Sequence, residues 1–145
     1  MTKSRNIGYL QYRSFGLVIQ ALVIMAKKGN TCSSCEIAEL LASEATQLRR
    51  ILVKLTRENI LVTREGRDGG YMLNKKPEDL TLAEIYQALE VGESCHKAVN
   101  DTIGIDDFGA QMKLACGDVL EEMDQSVMGV LEKYTIADMV RKTSY

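Results

Sequence analysis

The sequence predicts a mainly α-helical fold with a small β-hairpin wing: a winged helix-turn-helix domain followed by a long C-terminal dimerisation helix. Three observations predict it. Two short amphipathic helices meet at a tight turn within residues 33–57, a Gly-rich hairpin follows at 60–74, and an apolar seam runs from residue 108 to residue 134. Because a helix-turn-helix presents its second helix to the major groove, this pattern indicates DNA binding.

The composition is that of an ordered, water-soluble domain. Of 145 residues, 46% are hydrophobic and 26% are charged, which suffices for a core without disulfide or metal support. The longest apolar run, residues 17–26, is too short to span a membrane, and the N-terminus lacks the apolar stretch of a signal peptide. We therefore expect a cytoplasmic protein with no membrane partner, whose four cysteines stay reduced rather than form a disulfide framework.

Charge is divided unevenly along the chain. Residues 1–76 carry thirteen basic and six acidic side chains, whereas residues 77–145 carry five and fourteen. A basic half joined to an acidic half is typical of a polyanion-binding module with a self-associating or regulatory remainder. Charge alone leaves open the alternative that both halves are solvated surfaces without a partner.

The first two helices are recognised by their ends. Residues 14–28 have the apolar content of a buried helix, and two lysines and a glycine close it. Ser33 and Glu36 then have the spacing of a capping box. This predicts a second helix that begins at Ser33 and runs to Leu41.

A third helix follows a turn at Ala42 and Ser43. Its apolar residues recur at helical spacing from Leu48 to Leu55, and its other face is polar and basic. In the major groove, arginine pairs with guanine and glutamine with adenine. The candidate DNA-binding residues are Thr46, Gln47, Arg49 and Arg50 at the base edges, Lys54 and Arg57 at the phosphates, and Ser43 at the turn.

Residues 60–74 change to the pattern of a β-hairpin, with two short apolar runs around a Gly-rich polar turn. A hairpin directly after a helix-turn-helix forms a wing, which would lie along the DNA backbone or in the minor groove. Arg64 and Arg67 project from this wing, and Lys75 and Lys76 behind it suit phosphate contacts.

The next part of the chain is predicted to connect the domain to its assembly helix. Thr81 and Glu84 have the spacing of another capping box, at the start of a helix over residues 81–90. Residues 91–107 are predicted to be a loop, which contains Cys95 and the only histidine of the chain.

The last long segment carries a heptad seam. Apolar residues from Phe108 to Tyr134 are spaced by threes and fours, the pattern of a helix that packs lengthwise on another helix. We favour dimerisation over packing on the chain's own domain, because one small domain rarely needs so long a seam. The predicted divisions are a winged helix-turn-helix domain over 1–80, a connecting helix and sensor loop over 81–107, and a dimerisation helix with a C-terminal tail over 108–145.

Three segments carry a resemblance to a known family: "EIAELL", "LRRILVKLTRENILVTREGRDGGYMLNKKPEDLTLAEIYQALE" and "YTIADMV". From about residue 10 to about residue 141 the chain resembles the Rrf2 (Rrf-two) family of bacterial winged-helix regulators. The most specific element is the wing followed by Gly69, Gly70 and Tyr71, which complete the candidate DNA-binding residues. The resemblance implies a homodimer that binds a palindromic operator in double-stranded DNA, usually as a repressor of transcription.

One departure from the family pattern concerns the wing. Members of the family commonly have an arginine, followed by glycine, that enters the minor groove just before the Gly-Gly-Tyr turn. Here that position is Glu65, followed by Gly66, with Arg64 and Arg67 on either side. Because a carboxylate is repelled by phosphates, we assign the wing contact to Arg67 or Arg64, and no relative's operator sequence transfers to this chain.

The resemblance also raises the question of a sensor. Iron–sulfur members of the family carry three closely spaced cysteines in the loop before the long helix, and here only Cys95 matches one of them. One thiol with His96 is too few for a cluster without ligands from elsewhere in the chain or from a second subunit. We therefore expect no cofactor and favour Cys95 as a redox-responsive thiol, beside His96 and Lys97. An unreactive thiol is the alternative, and Cys116 on the seam is interpreted as a core residue.

A Cys-x-x-Cys pair, Cys32 and Cys35, lies at the start of the second helix. No second such pair is available to complete a zinc site. A helix N-terminus lowers the pKa of a thiol, so a reversible disulfide between them is a further redox candidate. Two thiols without such a role are the simpler interpretation.

No nucleophile–base motif, phosphate loop or paired-histidine metal motif occurs, so the sequence predicts no enzyme. The predicted function is a homodimeric, sequence-specific DNA-binding transcriptional regulator, a repressor that responds to redox signals through Cys95. The alternative is a protein-interaction adaptor that uses the winged helix as a scaffold and its acidic half to recruit another protein.

Overall fold

A computed structural model describes residues 2–143, with side chains from Leu10 onward; Met1, Ser144 and Tyr145 lie outside it. Seven α-helices and one two-stranded antiparallel hairpin make up this part of the chain, which confirms the predicted fold class. In chain order the elements are α1 (Thr2–Lys28), α2 (Ser34–Leu40), α3 (Ala45–Arg57), β1 (Leu61–Arg64), β2 (Gly70–Leu73), a 3₁₀ turn (Pro77–Asp79), α4 (Leu82–Ala88), α5 (Val91–Asn100), α6 (Asp107–Leu131) and α7 (Ile136–Arg141).

Helix α1 forms the centre of the core. Its residues Val18, Ala21, Leu22 and Met25 recur at helical spacing and are each at most 2% exposed. The helix starts well before the predicted residue 14 and ends, as predicted, in Lys27 and Lys28, with Gly29 at φ +68° behind them. Positive φ favours glycine, so the chain leaves the helix sharply at this residue.

The capping box at the start of α2 is confirmed. The Glu36 N–H donates to the Ser33 hydroxyl at 3.1 Å, and the Ser33 N–H donates to the Glu36 carboxylate at 2.8 Å. Lys28 donates to the same carboxylate at 3.0 Å and ties the end of α1 to the start of α2. The Ser33 N–H, and then Lys28, hold the pKa of the Glu36 carboxyl below its usual value.

Helices α2 and α3 cross as a helix-turn-helix. Ala38 lies buried in α2, and the Ser43 N–H donates to the Ala38 carbonyl at 2.9 Å across the turn. Ala42 takes a left-handed conformation there, at φ 50°. The inner face of α3, made of Leu48, Ile51, Leu52 and Leu55, is at most 8% exposed. Because this inner face packs in the core, the opposite face of α3 points towards solvent.

The wing is joined to the helix-turn-helix by backbone pairing. Strands β1 and β2 pair from Leu61 opposite Leu73 to Arg64 opposite Gly70. Tyr71 also exchanges two backbone hydrogen bonds, both 2.8 Å, with Cys32 in the segment before α2. At Gly70, φ is +150° and an added Cβ would lie 2.5 Å from the Cys32 carbonyl oxygen. Glycine is therefore required for the wing to approach this closely.

Two sequence predictions for the C-terminal half are wrong. Residues 91–100, predicted as loop, form α5; Val91 is 1% exposed, and packing against α1 compensates for the weak helix formers Gly92 and Ser94. The segment after the seam is not a tail, because α7 packs on α1 with Ile136 fully buried. The seam residue Tyr134 lies beyond the end of α6, and its carbonyl accepts from the Leu82 N–H at 2.9 Å.

No helix within residues 2–143 is both long and apolar enough to cross a membrane.

The close approach at Gly70 gives a stability prediction. Gly70→Ala should lower the free energy of unfolding by about 2–3 kcal/mol, since the new methyl group meets the Cys32 backbone in a left-handed conformation. Gly16→Ala is the control: Gly16 lies inside α1 with no atom within 4 Å of an added Cβ, so alanine should stabilise the helix by about 1 kcal/mol. Chemical denaturation of the two variants measures both effects. A Gly70→Ala protein as stable as wild type would contradict the close approach.

Candidate nucleic-acid interface

The outward face of α3 brings together most of the predicted base and phosphate contacts. No acidic residue lies between Ala45 and Arg57, and the helix contains three arginines and one lysine. Arginines on one exposed helix face can both pair with guanine edges and bind phosphates. The exposed residues of this face are Thr46, Gln47, Arg49, Arg50, Val53 and Arg57.

Sequence reasoning did not include Val53 in this face. It is 37% exposed and lies four residues from both Arg49 and Arg57, so helical spacing places it between them. An apolar side chain on a DNA-facing helix can contact the thymine methyl group. The sequence does contain a sign of this exposure, because Val53 is an apolar residue that lies off the helical spacing of the buried residues of α3.

Lys54 differs from the arginines of the same helix. It is half-buried, and its Nζ lies 3.5 Å from the Glu90 carboxylate at the start of α5. No local pattern could have revealed this pairing, because the partner follows 36 residues later in the chain. Lys54 therefore already has an acidic partner within the same chain.

Ser43 is a half-buried residue of the turn between α2 and α3. Its hydroxyl is buried and has no hydrogen-bond partner among the described residues. Glu44, and not Ser43, occupies the N-cap of α3, and its side chain makes no capping bond. This burial favours a role for Ser43 in shaping the turn over a direct contact to DNA.

The wing places two arginines at an exposed edge. Arg64 ends β1, and Arg67 lies in the five-residue turn with Glu65 beside Arg64; all three are exposed. The Thr31 hydroxyl donates to the Asp68 carbonyl at 2.6 Å and anchors the turn to the segment after α1. The tip that carries Arg67 is therefore fixed to the helical core.

The glycines of the wing have a conformational role. An added Cβ at Gly69 would lie 2.3 Å from the Arg64 carbonyl oxygen, and Gly70 contacts the Cys32 backbone as described above. Tyr71 is half-buried and pairs with Cys32 through its backbone. Gly69, Gly70 and Tyr71 therefore shape the wing and anchor it to the core. The same wing carries Arg64 and Arg67.

Of the three predicted sensor thiols, Cys95 lies on α5, near the contact of α5 with α6. Cys95 is exposed, and the neighbouring His96 has its Nε2 2.6 Å from the Asp124 carboxylate of α6. A groove of about 570 Å³ lies beside this pair. Burial raises the pKa of Tyr86, which lines the groove and packs edge-on against Phe15 of α1 at 5.5 Å.

The two cysteines near α2 have different environments. Cys32 is 1% exposed, and burial raises the pKa of its thiol above the usual value, although Lys28 acts in the opposite direction. Cys35 is exposed, and neither thiol is in a disulfide. Cys32 thus supports the core and the wing, and Cys35 is the member of the pair that solvent reaches.

Thiolate ligands for an iron–sulfur cluster do not converge in one chain. Within residues 2–143, no three His, Cys, Asp or Glu side chains are grouped as metal ligands. Cys95 on α5 is exposed and Cys116 on α6 is half-buried. Because clusters of this kind are held by several thiolates, the described residues of one chain do not supply a full ligand set.

Comparison with known proteins places this geometry in a family. A family model described as "Rrf2: Iron-dependent Transcriptional regulator" matches residues 13–142. The HTH-type transcriptional regulator NsrR of Bacillus subtilis is 26% identical over 137 residues, which is 90% of this chain and 88% of that protein.

Solved structures agree on the fold. T. potens IscR superposes with a TM-score of 0.67 at 22% identity, covering 90% of this chain and 85% of that one. CymR (YrzC), the global cysteine regulator of B. subtilis, superposes with a TM-score of 0.63 at 20% identity, covering 92% and 95%.

Proposed function

Because this chain belongs to the Rrf2 family of transcriptional regulators, we propose that it binds a palindromic DNA operator as a homodimer and represses transcription. The family and the relative NsrR are transcriptional regulators, so the chain is a DNA-binding regulator and not an enzyme. The observation that carries the finer proposal is the exposed basic face of α3 beside a wing fixed to the same core.

Charge and shape together support DNA as the partner. An α-helix fits the major groove, and the arginines of α3 face outward without an acidic residue between them. The wing sets Arg64 and Arg67 at its exposed edge, where they suit the backbone or the minor groove. In this arrangement α3 reads the bases, and the wing adds contacts that fix the protein on the duplex.

Helix α6 supports a homodimer. The seam residue Val127 packs against the chain's own core, whereas four other seam residues, Phe108, Val119, Met123 and Val130, are between 48% and 69% exposed. A row of exposed apolar side chains on one helix face is characteristic of an interaction surface. Two copies of α6 packed along these seams would present two α3 helices to the two halves of a palindrome.

Redox sensing is proposed for Cys95. The thiol is exposed on α5, which packs on α1, α4 and α6. Attack of its thiolate on a peroxide would give a sulfenic acid and release water or an alcohol. This change would fall one residue from the His96–Asp124 contact that joins α5 to α6.

The wing contact is tested with Arg67→Ala. Selection of random oligonucleotides should first yield a preferred palindromic site. Arg67→Ala should then bind that site more weakly and lower the slope of log K against log salt by about 0.9, since one phosphate contact is lost. Glu65→Ala, in the same turn, is the control and should bind as tightly as wild type or more tightly.

Unchanged affinity of Arg67→Ala over several salt concentrations would remove Arg67 from the interface. A wild-type protein that selects no DNA at any salt concentration would instead favour the adaptor function.

Dimerisation is tested with two exposed positions of α6. Val119→Asp places a charge on the seam and should give a monomer in analytical ultracentrifugation. Leu114→Asp is the matched control, because Leu114 is 75% exposed and helical spacing places it on the opposite face of α6. It should remain a dimer. A dimeric Val119→Asp protein would show that the seam is not the interface.

The redox proposal is tested by titrating operator binding with peroxide. Wild type should change its affinity after oxidation and recover it after reduction, whereas Cys95→Ser should not respond. Cys35→Ser removes the other exposed thiol and should respond like wild type. If wild type and Cys95→Ser titrate identically, Cys95 is not the sensor.

A further inference from the structure

The pairing of Lys54 with Glu90 separates this lysine from the other cations of α3. The Nζ of Lys54 lies 3.5 Å from the Glu90 carboxylate, with 39% and 54% of the two side chains exposed. Glu90 comes from the α4–α5 junction, within the acidic half of the chain. A carboxylate is thereby placed beside the helix that is proposed to face DNA.

The backbone of Glu90 is held in an unfavourable conformation. It has φ 55° and ψ 36°, in the left-handed region where glycine or asparagine costs less than glutamate. Its neighbours Leu89 and Val91 are 4% and 1% exposed, so both are fixed in the core. This directs the Glu90 side chain outward, towards Lys54, and a strained residue of this kind points to a role for its side chain.

The pair is weak enough to exchange partners. Ion pairs between half-exposed side chains contribute little, because water and salt screen them. A DNA phosphate is an anion that can replace the carboxylate as the partner of Lys54.

We propose that Glu90 is a positioning residue that holds Lys54 off the DNA backbone in the free protein and yields it to a phosphate on binding. This inference rests on the proposed DNA-binding function. Glu90 lowers the affinity of the regulator by competing for one of its phosphate contacts.

The same carboxylate is linked to the assembly helix. Glu90 precedes α5 directly, and His96 on α5 contacts Asp124 of α6 at 2.6 Å. Helix α5 therefore contacts α6 through His96 and begins beside the residue that pairs with Lys54 of α3.

A double-mutant cycle tests the inference with the full-length protein and its selected operator. Glu90→Gln keeps the shape of the side chain and removes its charge, and should bind about two- to five-fold more tightly than wild type. In a Lys54→Gln background, Glu90→Gln should cause no comparable gain. Glu90→Asn is the second variant, since asparagine accepts the left-handed conformation and also lacks the charge.

Glu44→Gln is the matched control for removing one negative charge beside α3. Glu44 is exposed at the N-cap of that helix, ten residues from Lys54, so any effect of its charge should be the same in the wild-type and Lys54→Gln backgrounds. Thermal melts establish that each variant is folded. If Glu90→Gln and Glu90→Asn bind as wild type does, or gain equally in the Lys54→Gln background, the inference is overturned while DNA binding stands. If wild type binds no DNA, the proposed function fails with it.

Discussion

The geometry of the DNA-facing surface depends on the backbone pairing between Cys32 and Tyr71. These two hydrogen bonds attach the wing to the segment that leads into α2, and Gly70 lets the two backbones approach. A free two-stranded hairpin is marginally stable in water, so the wing needs this attachment to keep one orientation. The relative placement of α3 and Arg67 is therefore set by a contact in which no DNA-binding side chain takes part. The Cys32 side chain at this contact is 1% exposed, within the core.

The features that sequence could predict are the local ones. The capping box of Ser33 and Glu36, the helix-turn-helix and the hairpin each depend on residues a few positions apart, and the structure has all of them. Their signals are spacing and turn residues, which survive in a single sequence. The candidate DNA contacts on α3 followed from the same helical period, because burial of Leu48 and Leu55 fixes which side faces outward.

The features that sequence could not predict depend on distant parts of the chain. Helix α5 has weak helix formers, and packing against α1 rather than its own propensity supports it. Residues 134–136 pair with residues 80–82 through hydrogen bonds of 2.9 Å, which returns α7 to the core. The contact between Lys54 and Glu90 likewise joins two segments that no local pattern relates. Helix α5, the position of α7 and the Lys54–Glu90 contact all depend on tertiary packing, which residue spacing along the chain does not predict.

The basic and acidic halves of the chain come into contact at the α4–α5 junction. The basic half supplies the outward face of α3, and the acidic half supplies Glu90 beside it and Asp124 on α6. Each phosphate contact adds to the electrostatic attraction of DNA, so in the proposed mechanism one internal carboxylate changes the affinity by a measurable factor. Because Glu90 at the start of α5 pairs with Lys54 of α3 and His96 contacts Asp124 of α6, α5 has polar contacts with both helices. In the proposed mechanism, a chemical change on α5 acts on α3 through this surface ion pair rather than through the hydrophobic core.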